Sequence, residues 1–315
     1  MDAPCPKNGL LRCDDVPGLE WALDMMTRRE FVATASGAAL GSALAPRSAG
    51  AASLASTLAA IERSSGGRLG VAVIDTRSGT RHGHRADEHF PLCSTFKLLA
   101  VSAVLSRVDA GKDRLDRRIR FEARDLVTYS PVTKDHTGAP GVTLEDLCEA
   151  AITVSDNTAA NLLLTVLGGP AGLTAYARSL GDSVTRLDRM EPELNEAAPG
   201  DPRDTTSPAA MASTLNTLVL GDALSSSSRA RLTHWLLASK TGDARLRAGV
   251  PAGWRVGDKT GSGARGTAND VGVLWPPRGA PILVAVYLTE AKVDGAGRNA
   301  AIAAVARAVT SHVAP

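Results

Sequence analysis

Residues 91–100, PLCSTFKLLA, set a serine, Ser94, three positions ahead of a lysine, Lys97, inside an otherwise apolar run. On a helix that spacing stacks both side chains on one face, a turn apart. A serine hydroxyl is a weak nucleophile until a neighbouring group accepts its proton. Lysine accepts a proton only when neutral. From a free value near 10.4 that demands a fall of about 3 in pKa, or ~4 kcal/mol, from burial and cationic neighbours. The extended run PLCSTFKLLAVSAVL offers apolar surroundings of that kind. A surface helix with a solvated lysine would show the same two residues, so S-x-x-K alone does not choose between the readings.

Three further segments carry candidate chemistry. AAITVSDNTAANLLL holds Ser155, Asp156 and Asn157 within an apolar run, where a helix break with a capping Asp or Asn is the plain reading. RVGDKTGSGARGTAND places Lys259, Thr260 and Gly261 where a strand should begin or run, or where a Gly-rich turn could lie. RMEPELNEAAPGDPRDTT offers Glu191 and Asn195, flanked by Arg189 and Asp204, in a loop punctuated by Pro and Gly. Taken singly, each has an ordinary structural explanation.

In this order the segments form the set S-x-x-K, S-D-N, E-x-x-L-N and K-T-G. The chain therefore resembles the class A serine β-lactamases. The segments TYSPVTKDH, TGDARLRAG, PAGWRVGDKTGSG and GTANDVGV extend the resemblance across nearly all of the chain after residue 51. It implies that Ser94 attacks the β-lactam carbonyl to form an acyl-enzyme. Lys97 would hydrogen-bond Ser94 and accept or relay its proton. Ser155 would pass a proton to the departing lactam nitrogen, with Lys259 close enough to tune it. The backbone N–H groups of Ser94 and Ser262 would form the oxyanion hole. Glu191, held with Asn195, would deprotonate the water that clears the acyl-enzyme. Asn157 would contact the acylamide side chain. Lys259, Thr260, Gly261, Ser262 and Arg245 would receive the substrate carboxylate, and Tyr129 would flank the mouth. Arg189 and Asp204 would close the loop as an ion pair, and the Glu191–Pro192 bond would be cis. No cofactor or metal is implied.

Some positions depart from parts of the family. Val101 stands where some members have a cysteine pairing with the one at Cys148. Gly263 stands where carbapenem-hydrolysing members have a cysteine pairing with the one at Cys93. The resemblance thus implies that both disulfides are absent and speaks against a dedicated carbapenemase. Ala268 occupies one of the places from which members supply the carboxylate-binding arginine, which leaves Arg245 for that role. Ser262 replaces a small apolar residue and implies an extra hydroxyl contact favouring cephalosporins. A DD-peptidase or penicillin-binding protein shares three of the motifs but lacks a deacylating glutamate. A β-lactam sensor would be tethered to a membrane segment, and a serine glutaminase is disfavoured by the Glu191 loop. The stretch RHGHRADEH, with His82, His84, Asp87, Glu88 and His89, lacks a closed ligand set and reads as a polar connection rather than a metal site.

The elements that must position these residues can be read from periodicity. SLASTLAAIERSSG has helical spacing and stops at Gly66–Gly67, after which LGVAVIDTRSG alternates into a strand and turn. DVGVLWPP and PILVAVYLTE read as two more strands, and residues 298–313 as a closing helix. The middle is mostly helical, with Thr143 capping ahead of Glu145 and Asp146. The layout is α+β, with sheet-domain segments 52–90 and 239–315 and an inserted helical domain, 91–238, carrying the Glu191 loop. The resemblance implies that the sheet is antiparallel.

With 315 residues, 44% hydrophobic, 22% charged and a net charge of +2, the chain shows no excess charge that would draw it to nucleic acid or a membrane. Aromatic residues at 3% also weaken any base-stacking surface. Four cysteines match no zinc spacing, and Cys93 and Cys148 read as buried free thiols. Near the N-terminus, Arg28 and Arg29 precede Phe31, an uncharged run to Ala45, and an A-x-A pattern at Ala49–Ala51. Residues 1–51 therefore read as an extension plus a signal for the twin-arginine export machinery. Translation would start at Met25 or Met26 and the mature chain near Ala52. The expected product is extracellular or periplasmic, monomeric and without a membrane anchor.

Overall fold

A computed structural model of the protein describes residues 53–313; the twin-arginine segment and its cleavage pattern lie outside them. Ser53 opens α1 (Leu54–Ser65) by accepting a hydrogen bond from the Ser56 N–H. Gly66, at φ 67°, closes it in the left-handed conformation that glycine adopts without penalty. β1 (Arg68–Asp75) and β2 (Arg81–His84) follow, then the short β3 (Phe90–Pro91). The central segment holds α2 (Phe96–Asp109), β4 (Arg118–Ile119), β5 (Val142–Thr143), α3 (Leu144–Thr153), α4 (Asn157–Leu167) and α5 (Pro170–Ser179). It continues through β6 (Thr205–Thr206), α6 (Pro208–Val219), α7 (Ser226–Leu237) and the single-turn α8 (Leu246–Gly249). Three long strands, β7 (Arg255–Gly263), β8 (Thr267–Trp275) and β9 (Ile282–Thr289), lead into α9 (Gly295–Val313).

The main sheet has the order β2-β1-β9-β8-β7, antiparallel throughout. Its two faces serve two cores, as the period of two along a strand requires. Ala72, Ile74, Val271, Val273, Leu283, Ala285 and Tyr287 pack with the central helices. Val71, Val73, Leu274, Val284, Val286 and Leu288 pack with α1 and α9. Burial on both faces explains why β9 reads as a continuous apolar run rather than an alternating one. α2 is buried along Phe96–Leu105 and lies within the first core, which is why that stretch, Lys97 and Ser102 apart, is apolar all round. Thr143 caps α3 as its position suggests, accepting from the Asp146 N–H.

The polar stretch beginning at Arg81 is not only a connection, because residues 81–84 form β2, paired from Ile74–Arg81 to Val71–His84. Backbone pairing makes the strand, and an edge position tolerates side chains too polar for an inner one. Glu62 of α1 gathers this corner, bonded to His84 Nε2 at 3.0 Å, Arg85 Nε at 2.6 Å and the Leu69 N–H at 3.0 Å. Burial alone would raise the Glu62 carboxyl, but the bonds from Arg85, Leu69 and His84 hold it down at about 2.

Candidate active site

Ser94 lies in a 3₁₀ turn, Cys93–Thr95, that leads into α2. Cys93 is held at φ 44°, a conformation disfavoured for a residue with a Cβ. Two anchors fix this turn. Thr95 Oγ1 lies 3.1 Å from the Tyr287 hydroxyl of β9, and Asn269 of β8 donates from Nδ2 to the Pro91 and Leu92 carbonyls at 2.9 and 3.1 Å.

Ser155 occupies the break between α3 and α4 at φ 59°, and Tyr129 sits at φ 67° in the loop opposite. Asp156, fully buried, caps α4 at Ala159 and receives the Val132 and Thr133 N–H groups, each at 3.0 Å, and Thr133 Oγ1 at 2.8 Å. That one carboxylate locks the Tyr129 loop to the Ser155 break. Asn157 adds two bonds to the same loop: its N–H donates to the Tyr129 carbonyl and its Nδ2 to the Thr128 carbonyl. Tyr129 stays 57% exposed, consistent with a place at the rim.

Strand alternation divides the work of β7. Lys259 pairs across from Val271, on the face packed against the central helices, and its Nζ reaches Ser155 Oγ at 3.0 Å and the Thr260 carbonyl at 2.8 Å. Thr260 and Ser262 project on the opposite face, where Ala268, the partner of Ser262, joins the core formed with α1 and α9. Arg245, just ahead of α8, comes to that face. It donates through Nη2 to Ser262 Oγ at 2.7 Å, through Nη1 to the Gly261 and Asn269 carbonyls, and through Nε to Asn299 Oδ1. β7 is an edge strand, so part of its backbone remains free to pair with something else.

Glu191 enters from its loop, where Arg189 holds Asp204 at 2.6 Å and Glu196 at 2.7 Å and the Glu191–Pro192 bond is cis. Asn195 donates from Nδ2 to Glu191 Oε2. Glu191 Oε1 accepts the Ser94 hydroxyl at 3.2 Å and lies 3.1 Å from Lys97 Nζ, both charged side chains fully buried. The Ser94–Lys97 hydrogen bond expected from the motif is not the contact made. Lys97 Nζ instead reaches Glu191, the Ser155 carbonyl at 2.8 Å, Ser155 Oγ at 3.3 Å and Asn157 Oδ1 at 2.5 Å. A buried ammonium gains more from a carboxylate and a carbonyl than from a hydroxyl, and its long stem carries it past Ser94 to reach them.

Burial lowers Lys97 against the opposing pull of Glu191. Burial, reinforced by the charge of Lys97, holds Lys259 well below the usual lysine range. Ser155 Oγ lies between these two ammonium groups. With both of its lone pairs engaged by donors, its own proton is directed away, toward the cavity.

That cavity, about 370 Å³, is lined by Ser94, Tyr129, Ser155, Asn157, Asn195, Thr241, Arg245, Thr260, Gly261 and Ser262. Lys97, Glu191 and Lys259 lie buried beneath it. Clefts of about 450 and 470 Å³ open elsewhere, one against residues 197–202 and one beside α3, but neither is lined by these groups.

A family model described as the β-lactamase enzyme family matches residues 53–313. The chain belongs to that family. Among its relatives, the β-lactamase AST-1 of Nocardia asteroides is 53% identical over 251 residues, covering 80% of this chain and 81% of its own. CTX-M-25 of Escherichia coli is 47% identical over 283 residues, covering 90% and 97%. The solved structure of an ancestral (GNCA) class A β-lactamase aligns with a TM-score of 0.81 and 67% identity, over 82% of this chain and 99% of that one.

The structure also brings in β-lactamase residues that sequence reasoning passed over. Asn161, one helical turn after Asn157, donates to the Glu191 carbonyl at 2.8 Å and accepts the Glu191 N–H at 2.9 Å. The i, i+4 spacing of the two asparagines in NTAAN was the available signal. Thr241, Asn269 and Asn299 carried none, because each meets the site only through tertiary contacts. Cys93 and Cys148 are buried free thiols, as their apolar surroundings suggested.

Proposed function

We propose that β-lactam hydrolysis, the activity this chain shares with its family, proceeds on penicillins and cephalosporins through an acyl-enzyme at Ser94. The Ser94 hydroxyl has one direct proton acceptor, Glu191 Oε1, and Lys97 shares that oxygen. Deprotonation lets Ser94 Oγ attack the lactam carbonyl, while the backbone N–H groups of Ser94 and Ser262 receive the oxyanion. Donors of this kind are worth about 3–4 kcal/mol each in other hydrolases. Lys97, whose ammonium touches both Glu191 Oε1 and Ser155 Oγ, gives a proton to Ser155 and takes the one Glu191 received, which leaves Glu191 a carboxylate again. Ser155, between Lys97 and Lys259, delivers its own proton to the lactam nitrogen as the ring opens. Glu191 then deprotonates a water that attacks the ester, and Asn195, whose Oδ1 is buried without a protein partner, accepts a hydrogen bond from that water. Asn157 and Tyr129 bracket the acylamide side, and the β7 edge with Arg245 takes the carboxylate end.

The observation that carries this reading is the buried contact of Glu191 with both Ser94 and Lys97, since a penicillin-binding protein lacks such a carboxylate. Intact mass after brief mixing with benzylpenicillin tests it. Wild type returns to its free mass while Glu191→Ala stays acylated. A wild type that itself stays acylated would make this a penicillin-binding protein or sensor.

The order of twin arginines, apolar run and A-x-A pattern supports export by the twin-arginine machinery, cleavage near Ala51 and work outside the cytoplasm. The amino terminus of the exported product decides the cleavage position.

A further inference from the structure

At the carboxylate end of the cavity the threonine of K-T-G, Thr260, is paired with a hydroxyl that lies outside the four motifs. Thr241, in the turn after α7, has its Oγ1 2.6 Å from Thr260 Oγ1, and both residues line the cavity. Thr260 and Ser262 stand two residues apart on one face of β7, so their hydroxyls are about 6.6 Å apart along the strand. A carboxylate can bridge that span, one oxygen to each hydroxyl, at ordinary hydrogen-bond lengths. Arg245, the cation at this end, already spends four of its five N–H donors on protein acceptors, one of them Ser262 Oγ.

A hydroxyl has a single proton. When its oxygen accepts from a protein donor, the proton is free to point at a ligand, and the chained bonds strengthen one another. We propose that Thr241 is a positioning residue for the substrate carboxylate. It donates to Thr260 Oγ1 and turns the Thr260 proton onto one carboxylate oxygen, while Arg245 does the same through Ser262 for the other. The anion is then held by two relayed hydroxyls, one backed by Thr241 and the other by Arg245, rather than by a guanidinium fork. A carboxylate only accepts, so its arrival selects one direction, Thr241 to Thr260 to anion, from the two that a pair of bonded hydroxyls can take. This rests on the β-lactam reading and specifies its carboxylate subsite.

The test compares wild type, Thr241→Val, Thr241→Ser, Thr260→Val and the double valine variant on benzylpenicillin and on its methyl ester, which lacks the anion. Loss of one relayed, charge-assisted bond should raise KM for the acid about tenfold in Thr241→Val, with kcat within about twofold. The ester should be unaffected, Thr241→Ser should recover the acid, and the double variant should be no worse than Thr260→Val. Equal losses on acid and ester would mean a merely structural role and overturn the proposal. So would a double variant much worse than Thr260→Val, because Thr241 would then touch the substrate independently. If Thr241→Val melts early, Thr241→Ala read as the acid-to-ester ratio serves the same purpose. A wild type that turns over neither compound defeats the β-lactam reading itself, whereas a working wild type with an unchanged acid-to-ester ratio in the variants defeats only the relay.

Discussion

Lys259→Met should stabilise the fold while abolishing turnover. Lys97 and Lys259 both bond Ser155 Oγ, at 3.3 and 3.0 Å, so their ammonium groups lie within about 6 Å of each other. Two unit charges at that separation repel by about 2–3 kcal/mol at an effective dielectric constant of about 20. Desolvation adds several kcal/mol for a buried ion, and Lys259 has no exposed surface. Against this stand its bonds to Ser155 and to the Thr260 carbonyl, about 1.5–3 kcal/mol each for a charged donor. The balance favours methionine by about 1–3 kcal/mol, within the range found when buried charges are replaced by apolar groups of similar volume. At about 2–4 °C per kcal/mol, thermal unfolding at pH 7 should rise by about 2–12 °C. Because the folded value of Lys259 is depressed, the unfolded chain binds more protons between that value and the free one near 10.4. Wild-type stability therefore climbs with pH across that window, and the advantage of the variant should shrink from pH 7 toward pH 10. A melting temperature several degrees lower than wild type at pH 7 would refute the view that the lysine pair is held at a cost to stability.

Asn161→Ala removes both bonds that hold the Glu191 backbone. It should cost about 2–3 kcal/mol and let acyl-enzyme accumulate during turnover, as read by thermal melting and time-resolved intact mass; unchanged deacylation would show that the loop holds Glu191 without this clamp. A Cβ built at Gly263 falls 2.7 Å from Cys93 Sγ. After small shifts, oxidised Gly263→Cys should form a disulfide with Cys93, leaving Cys148 as the only titratable thiol among residues 53–313, and three titratable thiols there in the denatured protein would disprove that proximity.

The lysine pair also shows why motif spacing was informative. Local spacing put Ser94 and Lys97 within a turn of each other, and apolar surroundings allowed a buried Lys97 without choosing it over a solvated one; the fold buries it. Capping chemistry placed α3 at Thr143, and alternation or continuous apolar runs located β1, β8 and β9. β2 escaped because a polar edge strand is held by backbone hydrogen bonds, which leave little trace in side-chain composition.

By itself the sequence determined which groups were available, in what order, and that the middle of the chain would be helical between strands. Those features follow from side-chain chemistry and from periods of 3.6 and 2 residues, which are local. Tertiary structure decided who meets whom. It set Glu191 Oε1 between Ser94 and Lys97, paired Ser155 with two lysines 58 and 104 residues away, and brought Thr241 against Thr260. Such contacts depend on how helices and sheet pack and on where buried charges find partners, neither of which is encoded in any short stretch of chain.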